Sequence, residues 1–342
     1  MPGDSLHATY VLPLRWREDG PLDDLTAYLE MLARRLEVIV VDGSPPERFG
    51  EHHRAWGSFA THLPPDPRFR YLNGKVNGVL TGIECAGRDA VVVADDDVRY
   101  GWEELERVVA ALEHADVVRP QNYFSPLPWH ARWDTARILL NRAVGGDFPG
   151  TLGVRRSTLL DAGGYDGDVL WENLELMRTV EAAGGVVLDD RGCLVRRLPP
   201  TARHFAGQRV RQAYDEWARP ARMAANLTIV PAVVLMVARR RLGVLAMATA
   251  ATVATAEVGR RRGGAGRRFP ASSSLLAPAW LAERAVCAWL ALARRLTGGC
   301  PYAGVRFVRA ATPLRHLRAR HTSRSSSGLG GPAPESRSFR SA

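Results

Sequence analysis

Three consecutive aspartates close a run of apolar residues in the segment DAVVVADDD. We call Asp95, Asp96 and Asp97 the acidic motif. Alternate side chains of an extended chain point to the same side, so we expect Asp95 and Asp97 to share a ligand while Asp96 faces elsewhere. Clustered carboxylates of this kind commonly hold a divalent cation, which in turn holds phosphate oxygens. An exposed acidic turn is the alternative, but bare carboxylates closing an apolar strand would repel one another.

Lys75 is the single lysine among 46 basic residues, and it lies on a glycine-flanked loop ahead of the same strand. Its ammonium group is a compact point charge, whereas the guanidinium group of arginine is a wide planar fork. A lone lysine in an arginine-rich chain therefore suggests a position that a guanidinium group does not fit. A phosphate contact is its natural use, and chance survival is the alternative.

The elements that must position these residues follow from the hydrophobic pattern of the first two hundred residues. We predict strands in HATYVLPL, EVIVVD, DAVVVADDD and DVVRPQNYF, and helices in PLDDLTAYLEMLARRL, NGVLTGIECAG and GWEELERVVAALEHA. This alternation predicts an α/β fold with a mostly parallel sheet. Ligands of such sheets bind beyond the carboxyl ends of the strands. We therefore expect Asp42, at the end of EVIVVD, to converge with the acidic motif on one crevice.

The character of the chain changes after Pro220. Apolar stretches cover residues 223–238, 242–259 and 275–293, although the third carries Glu283 and Arg284. A membrane-spanning helix needs about 20 apolar residues, and the second stretch approaches that length. Arginine runs flank the stretches and favour a cytosolic, anionic membrane surface. Spanning helices, a re-entrant hairpin, interfacial helices and buried soluble helices all remain open.

Charge is segregated along the chain. Residues 1–200 carry a net charge of −9 and residues 201–342 a net charge of +19. Such a basic half indicates contact with nucleic acid or with an anionic membrane. The arginines flank apolar stretches and do not form a basic face with interleaved aromatics, which favours the membrane and argues against nucleic acid. The four cysteines form no CxxC pair, and no secretory signal is visible, so we expect the first domain to be cytoplasmic.

Five segments in order resemble a family 2 glycosyltransferase with the GT-A fold. They are VVDGS, NGKVNGVLTGIECA, the strand ending in ADDD, the stretch RRSTLLDAGGYDGD with the following ENLELM, and GQRVRQ, which is similar to the family's QxxRW motif. The resemblance covers about residues 7–220, and its later part is similar to ceramide- and hopanoid-type glucosyltransferases. It implies a Rossmann-like sheet with helices on both faces, followed by apolar membrane-associated helices.

The resemblance also implies roles for individual residues. Asp42 would bind the nucleotide base, and Lys75 would lie near the base or the diphosphate. Asp95 would touch the nucleoside, with Asp96 a second contact, and Asp97 would coordinate Mg²⁺ or Mn²⁺.

Further roles fall on the QxxRW-like segment. Gln208, Arg211 and Gln212 share one helical face, which would meet the diphosphate or the acceptor. His204 lies on the same face four residues earlier, where it is either a metal ligand or a structural histidine. Three aromatic residues are candidates for lining an acceptor pocket, with plain core packing as the alternative: Trp129, Trp133 and Phe148.

Two departures from the family pattern concern the acceptor side. The pair Glu172-Asn173 stands where the family usually has Glu-Asp, and an asparagine cannot take a proton. Either Glu172 is the base and Asn173 orients the acceptor, or activity is impaired. Gln212 also replaces the aromatic residue of QxxRW, and Trp217 could substitute for it only if the helix bends.

The sequence thus predicts an inverting, metal-dependent glycosyltransferase at the cell membrane. It would move a sugar from a UDP- or GDP-sugar to a lipid-like or polyprenyl acceptor. A non-catalytic nucleotide-sugar-binding module and a nucleic-acid-binding protein are the alternatives. We predict a catalytic domain over residues 1–220, apolar helices over 221–298, a basic segment over 299–321 and a disordered tail over 322–342. Nothing in the sequence indicates the oligomeric state.

Overall fold

The structure, a computed structural model, describes residues 5–16 and 20–326 of the 342-residue chain. The strands are β1 Thr9–Leu14, β2 Glu37–Asp42, β3 Thr61–Leu63, β4 Ala90–Ala94, β5 Val98–Arg99, β6 Val117–Phe124, β7 Thr151–Arg155, β8 Val187–Arg197, β9 Cys300–Tyr302 and β10 Val305–Phe307. The helices are α1 Leu22–Ala33, α2 Pro46–Trp56, α3 Gly74–Cys85, α4 Trp102–Ala111, α5 Trp129–Val144, α6 Arg156–Asp161, α7 Glu172–Ala182, α8 Ala202–Tyr214, α9 Pro220–Ala238, α10 Leu242–Arg261, α11 Ala271–Leu275, α12 Ala277–Leu296 and α13 Leu314–Ser326. Two 3₁₀ segments, Asp215–Ala218 and Arg262–Arg267, follow α8 and α10.

The main sheet has the strand order β3-β2-β1-β4-β7-β6-β8-β5. β1 pairs in parallel with β2 and β4, and β2–β3 and β6–β8 are also parallel. β7 runs antiparallel to β4 and β6, and β5 runs antiparallel to β8. The sheet is therefore mixed. Three of the predicted strands, β1, β2 and β4, lie in a parallel half with β3, and the fourth, β6, lies beyond the antiparallel strand β7. This arrangement fits the predicted GT-A fold.

Alternation along the central strands gives the sheet two buried faces. Tyr10 and Leu12 pack with the apolar sides of α1 and α4 on one face. Val11 and its neighbours pack with α3 and α7 on the other face. Helices therefore cover both faces, as the family resemblance implied, and the runs of β-branched residues are typical of strands buried on both sides.

The strand that carries the acidic motif is shorter than the sequence suggested. β4 ends at Ala94, and Asp95 begins a turn before the short strand β5. The backbone amide of Asp95 donates to the carbonyl oxygen of Gly150 at 2.7 Å, which fixes the turn against the residue before β7. The three carboxylates thus stand at the carboxyl edge of the parallel half of the sheet.

The first two apolar stretches form the long helices α9 and α10. By length and composition both could cross a membrane, and only 11% of the apolar window of each helix is buried. The side chains of Val234 and Met247 are examples of large apolar groups that face solvent, with 62% and 66% of their surface exposed. The three arginines 239–241 connect the two helices.

The third apolar stretch behaves differently, because α12 packs on the body of the protein. Its small residues Ala288 and Ala291 join a core with α7 and α8. Its charged residues are held inside: Glu283 accepts hydrogen bonds from Arg209 at 2.6 Å and from Trp133 at 2.5 Å. One face of this stretch is therefore buried in the body, whereas Val286, Trp289 and Leu290 on its other face are exposed.

The residues after α12 pack against α8. β9 and β10 form a hairpin whose Cys300 and Phe307 are buried in the same core as Tyr214 of α8. α13 extends to Ser326, five residues into the predicted disordered tail. The remainder of that tail lies outside the described residues.

Candidate active site

A cavity of about 480 Å³ opens beyond the carboxyl end of β4. We call it the central cavity. Its walls come from the loop after β4, the start of α3, the start of α7, one face of α8, the 3₁₀ segment Asp215–Ala218 and α12. Nine of the ten candidate site residues line it: Lys75, Asp95, Asp96, Asp97, Glu172, Asn173, His204, Gln208 and Arg211. Phe148 and Gln212 line it as well, whereas Trp129 and Trp133 do not and line a separate pocket with Leu276.

The acidic motif forms the floor of the central cavity. Asp95 Oδ1 lies 2.5 Å from the ammonium group of Lys75, and Asp97 Oδ2 accepts from Arg197 Nε at 2.8 Å. Arg197 also lies 3.7 Å from the second oxygen of Asp95, so Asp95 and Asp97 do share a partner. Asp96 turns aside and accepts from the indole nitrogen of Trp16 at 2.5 Å. Asp95 and Asp97 thus lie beside one guanidinium group and Asp96 has a different partner, but the three residues form a turn and not an extended strand, and all three line the cavity.

Lys75 joins the floor to the wall formed by the start of α7. α3 begins at this point, because the side chain of Asn73 accepts from the backbone amide of Lys75 at 3.2 Å. The ammonium group then bridges Asp95 and Glu172, the latter at 2.8 Å. Burial alone would lower the pKa of Lys75, but these two carboxylates raise it above its ordinary value. A compact cation is therefore fixed between two acids.

Asp97 is the least satisfied carboxylate of the acidic motif. Its Oδ1 is buried and has no hydrogen-bond partner in the structure. Burial raises the pKa of Asp97 to about 6, although Arg197 opposes the shift. Because carboxylate oxygens are preferred ligands of Mg²⁺ and Mn²⁺, a divalent cation bound at this free oxygen would relieve the burial cost. The donor set therefore fits the predicted metal.

Glu172 and Asn173 open α7 at the cavity wall. One oxygen of Glu172 accepts from Lys75, as described above. The side-chain amide of Asn173 donates to the carbonyl oxygen of Pro149 at 3.3 Å. This hydrogen bond holds the Asn173 side chain against the backbone of the loop that precedes β7.

One face of α8 forms the opposite wall, as the spacing of its residues predicted. The ring nitrogen Nε2 of His204 lies 3.2 Å from the side-chain amide nitrogen of Gln208. Burial lowers the pKa of His204, and the neighbouring Arg211 lowers it further. Arg211 lies over the ring of Tyr302, with 4.7 Å from its guanidinium carbon to the ring centroid, and its buried Nε has no partner.

Asp42 is the candidate residue that the structure does not bring to the central cavity. Its Oδ2 lies 2.6 Å from Nδ1 of His52 and 3.2 Å from Nε2 of His62, and its Oδ1 accepts from the amide of Ser44 at 2.8 Å. We call Asp42, His52 and His62 the Asp42 cluster. The expected convergence of Asp42 with the acidic motif on one crevice fails, because these partners enclose a carboxylate that is 1% exposed.

The Asp42 cluster has its own chemistry. Burial would raise the pKa of Asp42, but hydrogen bonds from the two histidines and from Ser44 outweigh it and lower that pKa below its ordinary value. Among the described residues, it is this cluster whose three ligand atoms, all within 4.8 Å of one another, could hold a metal ion. Trp16 links it to the cavity, since its backbone amide donates to the hydroxyl of Ser44 and its indole to Asp96.

Several cavity residues were missed by reading the sequence. Arg197 comes from the end of β8, Arg219 follows the 3₁₀ segment, and Arg284 comes from α12. No motif marks them, because tertiary packing alone brings them together. Asp215 was also missed, although a carboxylate directly after the QxxRW-like helix is visible in QRVRQAYDEW.

Asp215 is a cavity residue whose pKa is raised above its ordinary value. Its Oδ1 is buried and has no partner in the structure. Burial raises the pKa of Asp215 to about 7, although Arg211 lowers it, and the charge of Glu172 adds to the rise. A carboxyl group of this kind is half protonated near neutral pH and can either donate or accept a proton there.

Two solved glycosyltransferase structures are among those with some likeness to this chain. A mannosyltransferase from Pyrobaculum calidifontis in complex with GDP-Man and Mn²⁺ is 16% identical, with a TM-score of 0.46 over 96% of this chain and 82% of that chain. A glucosyl-3-phosphoglycerate synthase from Mycobacterium tuberculosis in complex with Mn²⁺, UDP-Glc and phosphoglyceric acid is 16% identical, with a TM-score of 0.40 over 60% and 75% of the chains. Likenesses this distant carry no argument about activity.

No curated protein matches this chain in sequence. A family model does match, over residues 22–160, and that range contains Asp42, Lys75 and the acidic motif but stops before Glu172 and α8. The matching family is Glycosyl transferase family 2, which confirms the prediction of a glycosyltransferase domain in this part of the chain.

Proposed function

We propose that this chain is a membrane-associated, inverting glycosyltransferase that moves a sugar from a UDP- or GDP-sugar to a lipid-like or polyprenyl acceptor. The observation that carries the proposal is the central cavity. It joins the acidic motif, which lies in the family-matched segment, to Glu172 and α8, which lie beyond it. The two halves of the predicted site are therefore neighbours in space although they are about a hundred residues apart.

The donor would lie over the acidic motif. Asp95 and Asp96 would contact the nucleoside, while Lys75 and Arg211 would bind the diphosphate with charge-assisted hydrogen bonds. Gln208 would position the transferred sugar, since its side-chain oxygen is buried without a partner. Holding the diphosphate and the sugar in one geometry converts the displacement into a step between preoriented groups.

Asp97 would hold Mg²⁺ or Mn²⁺, and His204 is the second candidate ligand. When bound, the cation would neutralise charge that develops on the departing diphosphate. Arg197 already lies beside Asp97 and Asp95, and its positive charge would act on the same oxygens.

The acceptor would approach from the side of α7. Glu172 would be the base for a hydroxyl acceptor, with Asn173 orienting that hydroxyl. Glu172 has one oxygen bound to Lys75, so its free oxygen would face the acceptor. Attack from the face opposite the diphosphate inverts the configuration of the sugar.

The exposed apolar helices α9 and α10 support a membrane location. Their arginine flanks would meet an anionic, cytoplasmic leaflet, which keeps the catalytic domain on the cytoplasmic side. Flotation of the purified protein with vesicles containing phosphatidylglycerol tests this point. Replacing both Val234 and Leu235 by aspartate should abolish co-flotation and leave the folded catalytic domain intact.

Calorimetric titration tests donor binding. Detergent-purified protein is titrated with UDP, GDP, UDP-glucose and GDP-mannose, with and without Mn²⁺, beside Asp97→Ala. Asp23→Ala, which removes an exposed carboxylate from α1, is the matched control. We expect Mn²⁺-dependent binding of one nucleotide class that the control keeps and the Asp97 variant loses.

Two other functions predict different results. A non-catalytic nucleotide-sugar-binding module would bind the donor but release no nucleotide with any acceptor. A nucleic-acid-binding protein would bind no nucleotide sugar, and its binding to duplex DNA would fall steeply with salt.

A further inference from the structure

We propose that the Asp42 cluster binds a Zn²⁺ ion, at a site separate from the cation predicted at Asp97. Asp42, His52 and His62 each supply one ligand atom. The proposal does not depend on the transferase activity, because none of these three residues takes part in the proposed reaction. Three observations support it: the convergence of the ligand atoms, the proton acceptor beside His62, and the aromatic rings that enclose the cluster.

The three ligand atoms come from three different elements. Asp42 ends β2, His52 lies in α2 and His62 lies in β3. Nδ1 of His52 and Nε2 of His62 both approach the same oxygen, Oδ2 of Asp42, and the ligand atoms of the three residues lie within 4.8 Å of one another. Two imidazole nitrogens and one carboxylate favour Zn²⁺ over Mn²⁺ and Mg²⁺. A water molecule would complete the four ligands that Zn²⁺ prefers.

The separations in the cluster are close to those of a zinc site. Ligands about 2.0–2.1 Å from a tetrahedral Zn²⁺ lie about 3.3 Å from one another. Oδ2 of Asp42 lies 3.2 Å from Nε2 of His62 and 2.6 Å from Nδ1 of His52. The first distance already matches, and the second needs to lengthen by about 0.7 Å, a small movement at the tip of a side chain. Both contacts are hydrogen bonds in the structure, and the ion takes the place of their protons.

The proton that His62 must relocate has an acceptor. A histidine that binds a metal through one ring nitrogen carries its proton on the other, where a hydrogen bond fixes the ring. Nδ1 of His62 lies 3.2 Å from Nδ1 of His53, so His53 can accept the proton when Nε2 changes from donor to ligand. His52, His53 and His62 are three of the nine histidines and lie within eleven residues of the chain, a density that the proposed reaction does not use.

Aromatic rings enclose the cluster. Asp42 and His52 are 1% and 2% exposed, and the side chain of His62 is fully buried. The ring centroid of Phe49 lies 4.3 Å from that of His62, and the ring centroid of Trp56 lies 4.7 Å from that of His52. An apolar shell lowers the local dielectric constant, which strengthens the attraction between a divalent cation and a carboxylate.

The ion would fasten the edge of the sheet. β3 is the outermost strand on this side and pairs with β2 over three residues. Coordination of one ion by His62, Asp42 and His52 ties this short strand to β2 and α2. A metal that binds the folded chain in preference to the unfolded chain stabilises it by mass action, so Zn²⁺ should raise the melting temperature.

Zinc titration of the purified full-length chain tests the proposal. The protein in detergent is stripped with a chelator and titrated with Zn²⁺ by calorimetry, with Mg²⁺ in excess to compete for sites made of oxygen ligands alone. We expect one Zn²⁺ ion to bind the wild type and Asp97→Ala equally well. No nucleotide is present, so failure of the proposed transferase function would leave this result unchanged.

Variants assign the site. His52→Asn and His62→Gln retain a side-chain amide that can donate to Asp42 but remove the imidazole, and we expect Zn²⁺ to bind at least about a hundredfold more weakly. His53→Ala removes the proton acceptor beside His62 and should weaken binding about tenfold. His114→Gln, which replaces an exposed histidine after α4, is the matched control with unchanged affinity. Melting curves show whether each variant is folded, and Zn²⁺ should raise the melting temperature of the control but not of His62→Gln.

Three outcomes would overturn the proposal. If the stripped wild type binds no Zn²⁺, the cluster is held by hydrogen bonds alone, and this result needs no variant. Undiminished binding in both His52→Asn and His62→Gln would place the ion elsewhere. Binding that Asp97→Ala loses and the histidine variants keep would assign the ion to the acidic motif.

Discussion

Two strand ends carry aspartates on this sheet, and they differ in almost every respect. Asp42, at the end of β2, is enclosed by His52 and His62, and its pKa is lowered. Asp97, just after β4, faces the central cavity with one oxygen unpaired, and its pKa is raised to about 6. The same residue type at similar positions is thus a satisfied structural group in one place and an unsatisfied one in the other. Unsatisfied carboxylates are the better indicator of a ligand.

We expect the largest effect on activity from replacing Asp97, whose carboxylate has an unpaired oxygen. Asp97→Asn keeps the shape of the side chain but removes the charge that would bind the metal. We expect transfer to fall at least 1000-fold, which corresponds to about 4 kcal/mol of transition-state stabilisation. Steady-state assays with the donor found by calorimetry measure this, beside the exposed control Asp23→Asn. Full activity in Asp97→Asn would mean that the free oxygen has no role in the reaction.

Replacing Asp42, whose carboxylate is fully paired, should lower the free energy of unfolding. Asp42→Ala leaves the buried nitrogens of His52 and His62 without their acceptor, and we expect a loss of about 3 kcal/mol in the free energy of unfolding. Urea denaturation measures it. If stability is unchanged and nucleotide binding is lost instead, Asp42 binds the base as the family resemblance implied, and the contrast between the two ends breaks down.

Stability should change with pH in opposite directions for Asp215, which has an unpaired buried oxygen, and for Asp42, whose carboxylate is paired. The pKa of Asp215 is about 7 in the folded protein and about 4 in the unfolded chain, so its contribution is fully present below pH 4 and is lost as pH rises through 7. Asp215→Asn should therefore be more stable than the wild type at pH 8, by about 1–3 kcal/mol.

The counterpart is Asp42→Asn. Because the folded-state pKa of Asp42 is lowered, its contribution is present above pH 4 and is lost as pH falls further. The destabilisation by Asp42→Asn should thus shrink in acid, while the difference for Asp215→Asn vanishes there. Thermal melts from pH 3 to pH 8 compare the two. Parallel pH profiles would show that both sites have the same electrostatic environment.

The smallest effect is expected for Lys75→Arg. The longer, planar group cannot keep both the 2.5 Å contact with Asp95 and the 2.8 Å contact with Glu172. We expect about a fivefold loss in kcat/KM, or about 1 kcal/mol. Wild-type kinetics in this variant would favour chance survival of the lysine over a geometric requirement.

The sequence was a good guide where function depends on local spacing. The strands and helices of the first half and the shared face of α8 follow from periodicity, whereas the acidic motif lies in a turn that the strand pattern did not predict. It failed where partners are distant in the chain. Nothing near Asp42 in the pattern shows that His62, twenty residues on, will enclose it. Arg284 was read as a charge that interrupts an apolar stretch, yet that charge points into the protein.

The position of α9 has one more consequence. This helix starts at Pro220, immediately after Arg219, and its nineteen residues extend about 28 Å away from that point. At the membrane location that we propose, this helix, with Pro231 in its interior, would set the height of the central cavity above the bilayer. A lipid acceptor could then enter the cavity while its tail stays among its neighbours in the leaflet. Encounter would be a search in two dimensions, and the density of acceptors in the membrane, more than their concentration in the cell, would set the rate.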